Sequence, residues 1–312
     1  MKLYIKANNL KILKNLDDLL PSSLSKASLL IDANSLIEYQ TNLNCANEIL
    51  KYQEELFFDK RDIKNIIKGI YFGNSSCEHL IPSFTDILEA KKICDSRHYN
   101  FVFSLPPISE FKLNDIKEVF ELLNQSYTEV VVNDFGTLQL ASEYKNLKPV
   151  LGLTFSKVIK SAFIDSIKPS DLTNEQLVSQ SELLSQSEFE CSQTREFYKS
   201  LGVGRFSIEN INLNLEFLQE KPKLQVDFYY PNITIANSKA CDIAGLFEDK
   251  NRYFVQEQCN KYCNQISLEF EHSKVLGLYQ RFNSIYKINT NINVKENLSK
   301  DIKNRFIWEI FI

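Results

Sequence analysis

Histidine is scarce in this chain: only His79, His98 and His272 occur among 312 residues. No G-x-S-x-G, H-E-x-x-H or P-loop pattern is present, so serine hydrolase, zincin and nucleotide-triphosphatase chemistry have no sequence support. A cysteine protease needs a thiol activated by histidine, and no local signature couples the three histidines to one. Glycine is also sparse, with eight residues. No Gly-rich phosphate loop follows a strand, which argues against a dinucleotide-binding fold. Basic residues do not dominate: 36 Lys and Arg face 40 Asp and Glu, for a net charge of -4. A nucleic-acid duplex is therefore not the obvious partner, although a local basic patch stays compatible with this balance. No apolar run approaches the roughly eighteen residues of a membrane span. The opening M-K-L-Y-I-K-A-N-N-L-K is broken by Lys and Asn and has no apolar signal-peptide core. These absences point to a folded cytoplasmic protein whose thiols stay reduced. The odd count of seven cysteines argues against a fully paired disulfide framework.

What is present is an alternation of strands and helices. Leu3–Ile5 reads as a strand start and Leu10–Leu20 as a helix stopped by Pro21. Ser28–Asp32 reads as a second strand, Cys45–Phe58 as a helix, and 58–68 as a charged helix or linker. From Gly69 the pattern is regular. Ile70–Phe72, Phe101–Phe103, Glu129–Val132 and Pro149–Leu153 are strands, separated by helices over Phe84–Asp95, Asn114–Asn124 and onward to Tyr144. Asn133 is expected to cap the last of these. Successive βα units mean a parallel sheet, and without a phosphate loop they favour a (β/α) TIM-barrel-like domain. A polar segment, 156–200, is expected to be helical. Strand-like runs resume at Gly202–Phe206, Leu224–Tyr229 and Ile233–Ala236. An irregular β-rich segment follows, and a hydrophobic strand from Arg305 closes the sequence. The expected division is an N-terminal βα extension over 1–68, integrated with a barrel-like unit over 69–312.

The stretch from Ile235 to Gln265 holds Cys241, Cys259 and Cys263, the last two as C-x3-C. Cys77 follows the Ile70–Phe72 run. Each thiol lies just beyond a strand or in a loop after one, so the four are expected to meet at the mouth of the barrel as an iron–sulfur site. The bland reading of a cysteine is a small buried hydrophobe. The polar flanks Q-E-Q-C-N-K-Y-C-N-Q argue against it here. Zinc is the second metal candidate, but structural zinc sites usually show two short pairs and this chain has one. Cys45, Cys94 and Cys191 lie within helical patterns and read as buried or incidental thiols.

Five segments in order carry a resemblance: I-Y-F-G-x-x-x-C (70–77), V-x-N-D-x-G (131–136), G-x-G-R-x-x-x-E (202–209), A-N-S-x-x-C (236–241) and the C-x3-C. Together they resemble the collagenase-like peptidase superfamily, in particular its UbiV/UbiU-like branch of oxygen-independent hydroxylation proteins. The resemblance runs from about Gly69 to Cys263. It implies a barrel and a [4Fe–4S] cluster held by Cys77, Cys241, Cys259 and Cys263. It further implies hydroxylation of a quinone precursor or an RNA base, with prephenate as oxygen donor, and a heterodimer with a related barrel protein. The chain departs from the pattern at Tyr230–Asn232, in the Gly152–Phe155 turn, in the longer segment before Ile70 and in the expanded 156–200 segment. These departures suggest a divergent member with its own substrate.

Three further residues are candidates for catalysis. Asp134 and Glu209 follow expected strands and stand where carboxylates act as acid or base at a barrel mouth. Arg205, in the same expected strand-end region, is suited to clamp a carboxylate or phosphate. Helix capping for Asp134 and surface pairing for Glu209 and Arg205 are the ordinary alternatives. His79, two residues after Cys77, is a further candidate to tune or join the metal site. The functional expectation is an oxygen-independent hydroxylase or its cluster subunit. A peptidase and a non-catalytic, metal-stabilised or RNA-binding partner protein are the alternatives.

Overall fold

The computed structural model describes residues 2–16, 67–158, 160, 173–209, 211, 213, 215–230, 232–247, 259–270, 278–288 and 303–310. The expectations for Ser28–Asp32, Cys45–Phe58 and most of 58–68 lie outside the described residues, as do Cys45 and His272.

Strands β1 (Lys2–Ala7), β2 (Ile67–Phe72), β3 (Asn100–Ser104), β4 (Thr128–Val132) and β5 (Leu147–Leu151) come first, followed by β6 (Arg205–Glu209) and β7 (Gln225–Tyr230). Four short strands follow: β8 (Asn232–Asn237), β9 (Leu268–Glu269), β10 (Leu278–Arg281) and β11 (Ser284–Ile288). The last is β12 (Arg305–Ile310). Eight of them close a barrel in the order β1-β12-β7-β6-β5-β4-β3-β2, and every barrel pair is parallel. The expected fold class is therefore the observed one. β1 is itself a barrel strand between β12 and β2, so the first residues belong to the wall of the barrel.

Alternation along each strand explains the closure. Ile5, Phe72, Val130, Phe206, Phe228 and Trp308 belong to one large apolar cluster shared with the surrounding helices. Their neighbours Tyr4, Tyr71, Val102, Val131, Tyr229 and Ile307 form a separate cluster. Successive residues of a strand point to opposite faces, so the second cluster fills the barrel interior and the first lies between barrel and helices. Each fully buried aliphatic or Phe side chain contributes roughly 1.5–3 kcal/mol, and both faces of the barrel strands are largely buried.

Polar groups lie on either side of the inner apolar layer. At the floor, Arg205 donates to Asp227 at 2.7 Å and Arg305 to Glu129 at 2.6 Å. The Tyr71 hydroxyl donates to Asp227 and accepts from Arg305 at 2.9 Å. Burial holds that phenol well above its ordinary pKa, so it remains a donor. At the mouth, Lys6 pairs with Glu309 at 3.2 Å and Lys160 with Glu209 at 2.6 Å.

The helices start where their caps allow. The Ser83 hydroxyl accepts from Asp86 N at the start of Phe84–Ser96. The sequence expectation for the helix after β4 needs a correction: Asp134, not Asn133, is the cap of Phe135–Ser142, accepting from Thr137 N at 2.7 Å. Asn133 is buried and spans three strand ends. It donates to Leu105 O at 2.6 Å and its Oδ1 accepts from the Thr154 hydroxyl at 3.0 Å. Gly152 makes room for it, since a Cβ there would stand 2.2 Å from Asn133 Oδ1. In the 156–200 segment the described α-helices are Asn174–Ser185 and Ser192–Ser200, with a 3-10 turn at Glu188–Glu190 between them.

The strand-like run at Ile233–Ala236 is not a barrel strand. β8 pairs with β11 in a small antiparallel sheet of order β8-β11-β10-β9. The chain reaches it directly from the C-terminal end of β7, which places this sheet at the mouth of the barrel.

Candidate metal centre

Cys77 is presented by a built turn. The chain leaves β2 at Gly73, whose φ of +117° suits glycine and whose absent Cβ avoids Ser104 O, 2.4 Å from the ideal position. Gly73 N bonds Ala7 O at 3.1 Å. The buried Asn74 side chain then accepts from both Ser76 N and Cys77 N at 2.8 Å. The Ser76 hydroxyl meets the Tyr286 hydroxyl of β11 at 2.7 Å. Cys77 thus sits between the barrel rim and the small sheet.

The other three thiols arrive from beyond β8. Cys241 immediately precedes the short helix Asp242–Phe247, and its sulfur lies 3.5 Å from Phe282 O. Lys261 takes the left-handed conformation at φ 59°, and its N–H points at Cys259 Sγ at 3.3 Å. Cys263 follows in the Tyr262–Asn264 turn and is buried. Cys77, Cys241, Cys259 and Cys263 line one small cavity together with His79, Leu80, Lys239 and Ala244. Ile243, Tyr279, Phe282 and Tyr286 pack with Cys77 and Cys263 as its apolar backing.

The electrostatics are those of thiols gathered out of water. Burial pushes Cys77 and Cys263 up to about 12, with the neighbouring thiols adding to the rise. Cys241 is raised by the same causes. Opposing this, backbone N–H groups face the sulfurs: His79 toward Cys77, and Ala244 and Ile243 toward Cys241. With the Lys261 amide on Cys259, three of the four sulfurs have an amide donor from a residue two or three positions on. Such bonds stabilise the thiolate over the thiol. The Lys239 ammonium adds positive charge at the cavity and lies 3.7 Å from Glu78. The donor set is therefore all sulfur, partly dry and supplied with amides. It fits soft-metal or iron–sulfur ligation. No group of three or more His, Cys, Asp or Glu among the described residues stands ready to hold a single metal ion.

The other sequence candidates separate. Glu209, at the C-terminal end of β6, is fully buried at the mouth; its Oε1 accepts from Lys160 and from Thr234 N at 3.2 Å, and its Oε2 has no hydrogen-bond partner among the described residues. Arg205 begins the same strand, so it lies at the opposite end of the barrel, in the floor network. Asp134 spends its carboxylate on Thr137 and on Ile108 N at 2.9 Å. His79 lines the cavity, and its backbone amide is the part that addresses Cys77. Cys94 is buried in the helix Phe84–Ser96, as a thiol in a helical pattern suggests, whereas Cys191 is exposed.

Sequence reasoning missed Lys6, Ser75, Glu309 and Tyr286, which line a cavity of about 170 Å³ at the mouth. The available signal was a lysine and a glutamate near the C-terminal ends of two largely apolar strands. No helix among the described residues is long and apolar enough to cross a membrane. Compared with protein-family models, curated proteins and solved structures, the chain matches none.

Proposed function

We propose that Cys77, Cys241, Cys259 and Cys263 hold a [4Fe–4S] cluster at the barrel mouth, and that the protein serves an oxygen-independent hydroxylation in the cytoplasm. On this reading it is the hydroxylase or its iron–sulfur subunit, working with a related barrel protein on a small aromatic or quinone precursor or an RNA base, with prephenate as the oxygen donor. The observation that carries it is the convergence of four thiols, from three separate segments, on one cavity at the mouth.

When bound, the cluster supplies one-electron redox chemistry or a Lewis-acidic iron. The chain's own residues set its surroundings. The amides of His79, Ile243, Ala244 and Lys261 aim at sulfur, and hydrogen bonds there tune a cluster's potential. Ile243, Phe282 and Tyr279 limit water on one side. The Asn74 turn fixes Cys77.

The test is anaerobic purification with iron, sulfide and zinc analysis and a visible spectrum, repeated on Cys259→Ala. A brown protein with about four irons and four sulfides, bleached in the variant, is the expected result. A colourless protein without iron after reconstitution overturns the cluster and with it the hydroxylase reading, and stoichiometric zinc assigns the thiols to a structural site.

A further inference from the structure

The second cavity of the mouth is lined by Lys6, Ser75, Thr154, Lys160, Tyr286 and Glu309, among others, and encloses about 170 Å³. It lies beneath β8, separated from the four thiols by the Ser76–Cys77 turn. Lys6 is its most unusual member. The side chain stands at the C-terminal end of β1 and is 1% exposed. Its amine bonds the Ser75 hydroxyl, which continues to Ser104 at 2.7 Å. Glu309 lies 3.2 Å away and the ring of Tyr229 5.3 Å away. A lysine placed so deeply in a barrel wall needs a reason, because lysine is almost never fully buried unless paired.

We propose that Lys6 is the nucleophile of a carbonyl-binding site, forming an imine with a small aldehyde or ketone in this cavity. Catalytic residues of barrel enzymes stand at the C-terminal ends of strands, and Lys6 does. Nucleophile and base must lie within hydrogen-bond reach, and Lys6 and Glu309 do. The step balances within the pair. The proton shared by ammonium and carboxylate moves to Glu309, freeing the amine lone pair. The nitrogen attacks the carbonyl carbon, the C–N bond forms, and Glu309 returns the proton to the oxygen. Loss of that oxygen as water, with a second proton from nitrogen, leaves the imine; no electrons are gained or lost. Burial lowers the amine's pKa below its ordinary 10.5 against the opposing pull of Glu309, which assists the first proton move. The cavity is smaller than the roughly 300–1,000 Å³ of drug-sized sites, which limits the ligand to a small one. The inference stands whether or not the thiols hold a cluster.

The test uses the intact protein, glycolaldehyde and sodium borohydride, which reduces an imine to a stable amine. Peptide mapping by mass spectrometry then locates the adduct. The expected result is a single reduced glycolaldehyde on the peptide holding Lys6, formed before label appears on exposed lysines such as Lys14. The Lys6 adduct is absent from Lys6→Arg, which keeps the charge opposite Glu309. Circular dichroism checks that this variant folds. Label spread over the exposed lysines with Lys6 spared in the unmodified sequence overturns the proposal, and that outcome needs no variant. Iron content of the same sample reports separately on the thiol site.

Discussion

Replacing Arg205 by methionine tests whether this residue belongs to the floor of the barrel or to its chemistry. Two arginines face two carboxylates there, all largely buried. Arg205 donates to Asp227 at 2.7 Å and to Lys303 O at 3.0 Å, and lies 3.8 Å from Glu129. Glu129 keeps Arg305 at 2.6 Å when Arg205 is gone. Among the described residues Asp227 then keeps the Tyr71 hydroxyl as its direct side-chain partner, with Arg305 acting on it at longer range. The variant thus strips the directly paired cation from one fully buried carboxylate, a change that costs up to about 3–5 kcal/mol. Against a total stability of roughly 5–15 kcal/mol that is a large fraction. At an m-value of about 3 kcal/mol/M the urea midpoint falls by roughly 1–1.7 M. The double variant Arg205→Met, Asp227→Leu removes the stranded charge as well, and is expected to be more stable than the single one. Equilibrium urea unfolding of the three proteins reads all of this, with iron content measured on the folded fraction. The expectation is a lower midpoint with iron content per folded chain unchanged. An unchanged midpoint together with lost iron or lost activity refutes the assignment and returns Arg205 to the site.

Four further outcomes follow from the structure. Asn133→Ala strands the Leu105 carbonyl and costs about 1–3 kcal/mol, while Gly152→Ala, whose Cβ would meet Asn133 Oδ1 at 2.2 Å, costs a similar amount by overpacking; thermal unfolding checks both, and a neutral result for either sinks the bridge. Iodoacetamide is expected to alkylate Cys191 first, since it is exposed and the Thr194 amide lowers its pKa, and Cys94 among the last; peptide mapping that shows the reverse order contradicts the burial pattern. Burial pushes Cys94 from 9.0 up to about 12. Between those values the unfolded chain has released the proton that the folded chain still holds, so stability is full below pH 9 and falls as pH rises toward 12. Cys94→Ala is expected to flatten that fall in urea titrations at successive pH, and an unaltered slope argues against the buried thiol. Cys263→Ser lowers iron loading in the same assay as Cys259→Ala, and retention of a full complement removes Cys263 from the ligand set.

The barrel was legible because its signals are local. Each βα unit between Gly69 and Leu151 shows a short β-branched or aromatic run followed by a helical one, and each became a strand and a helix. The rim was legible in part. Cys77, Cys241, Cys259 and Cys263 sit in polar flanks after apolar runs, and four cysteines so placed do share a cavity. Three features resisted. Arg205 opens its strand rather than ending it: the expected run Gly202–Phe206 starts three residues before the observed Arg205–Glu209, and that shift exchanged the floor for the mouth. Asn133 and Asp134 are both good caps, and only the packing of Gly152 and Leu105 decides which turns inward. Lys6 and Glu309 become neighbours only through the pairing of β1 with β12, where they are register partners. No pattern within either strand carries that information. β8 alternates like a barrel strand, and its exit into a second sheet depends on its partner β11, which follows much later.

The pairing of β1 with β12 also sets an order of events during synthesis. Residues 2–7 have one of their two neighbours only after residues 305–310 have left the ribosome. Until then the nascent sheet has two open edges and no enclosed interior, and the loop to be closed is nearly the length of the chain, an unfavourable and slow step. The amine of Lys6 and the carboxylate of Glu309 therefore meet only once β12 has joined β1. The cavity they share depends on that pairing, and a fragment lacking residues 303–310 is left with unpaired strand edges of the kind that drive aggregation.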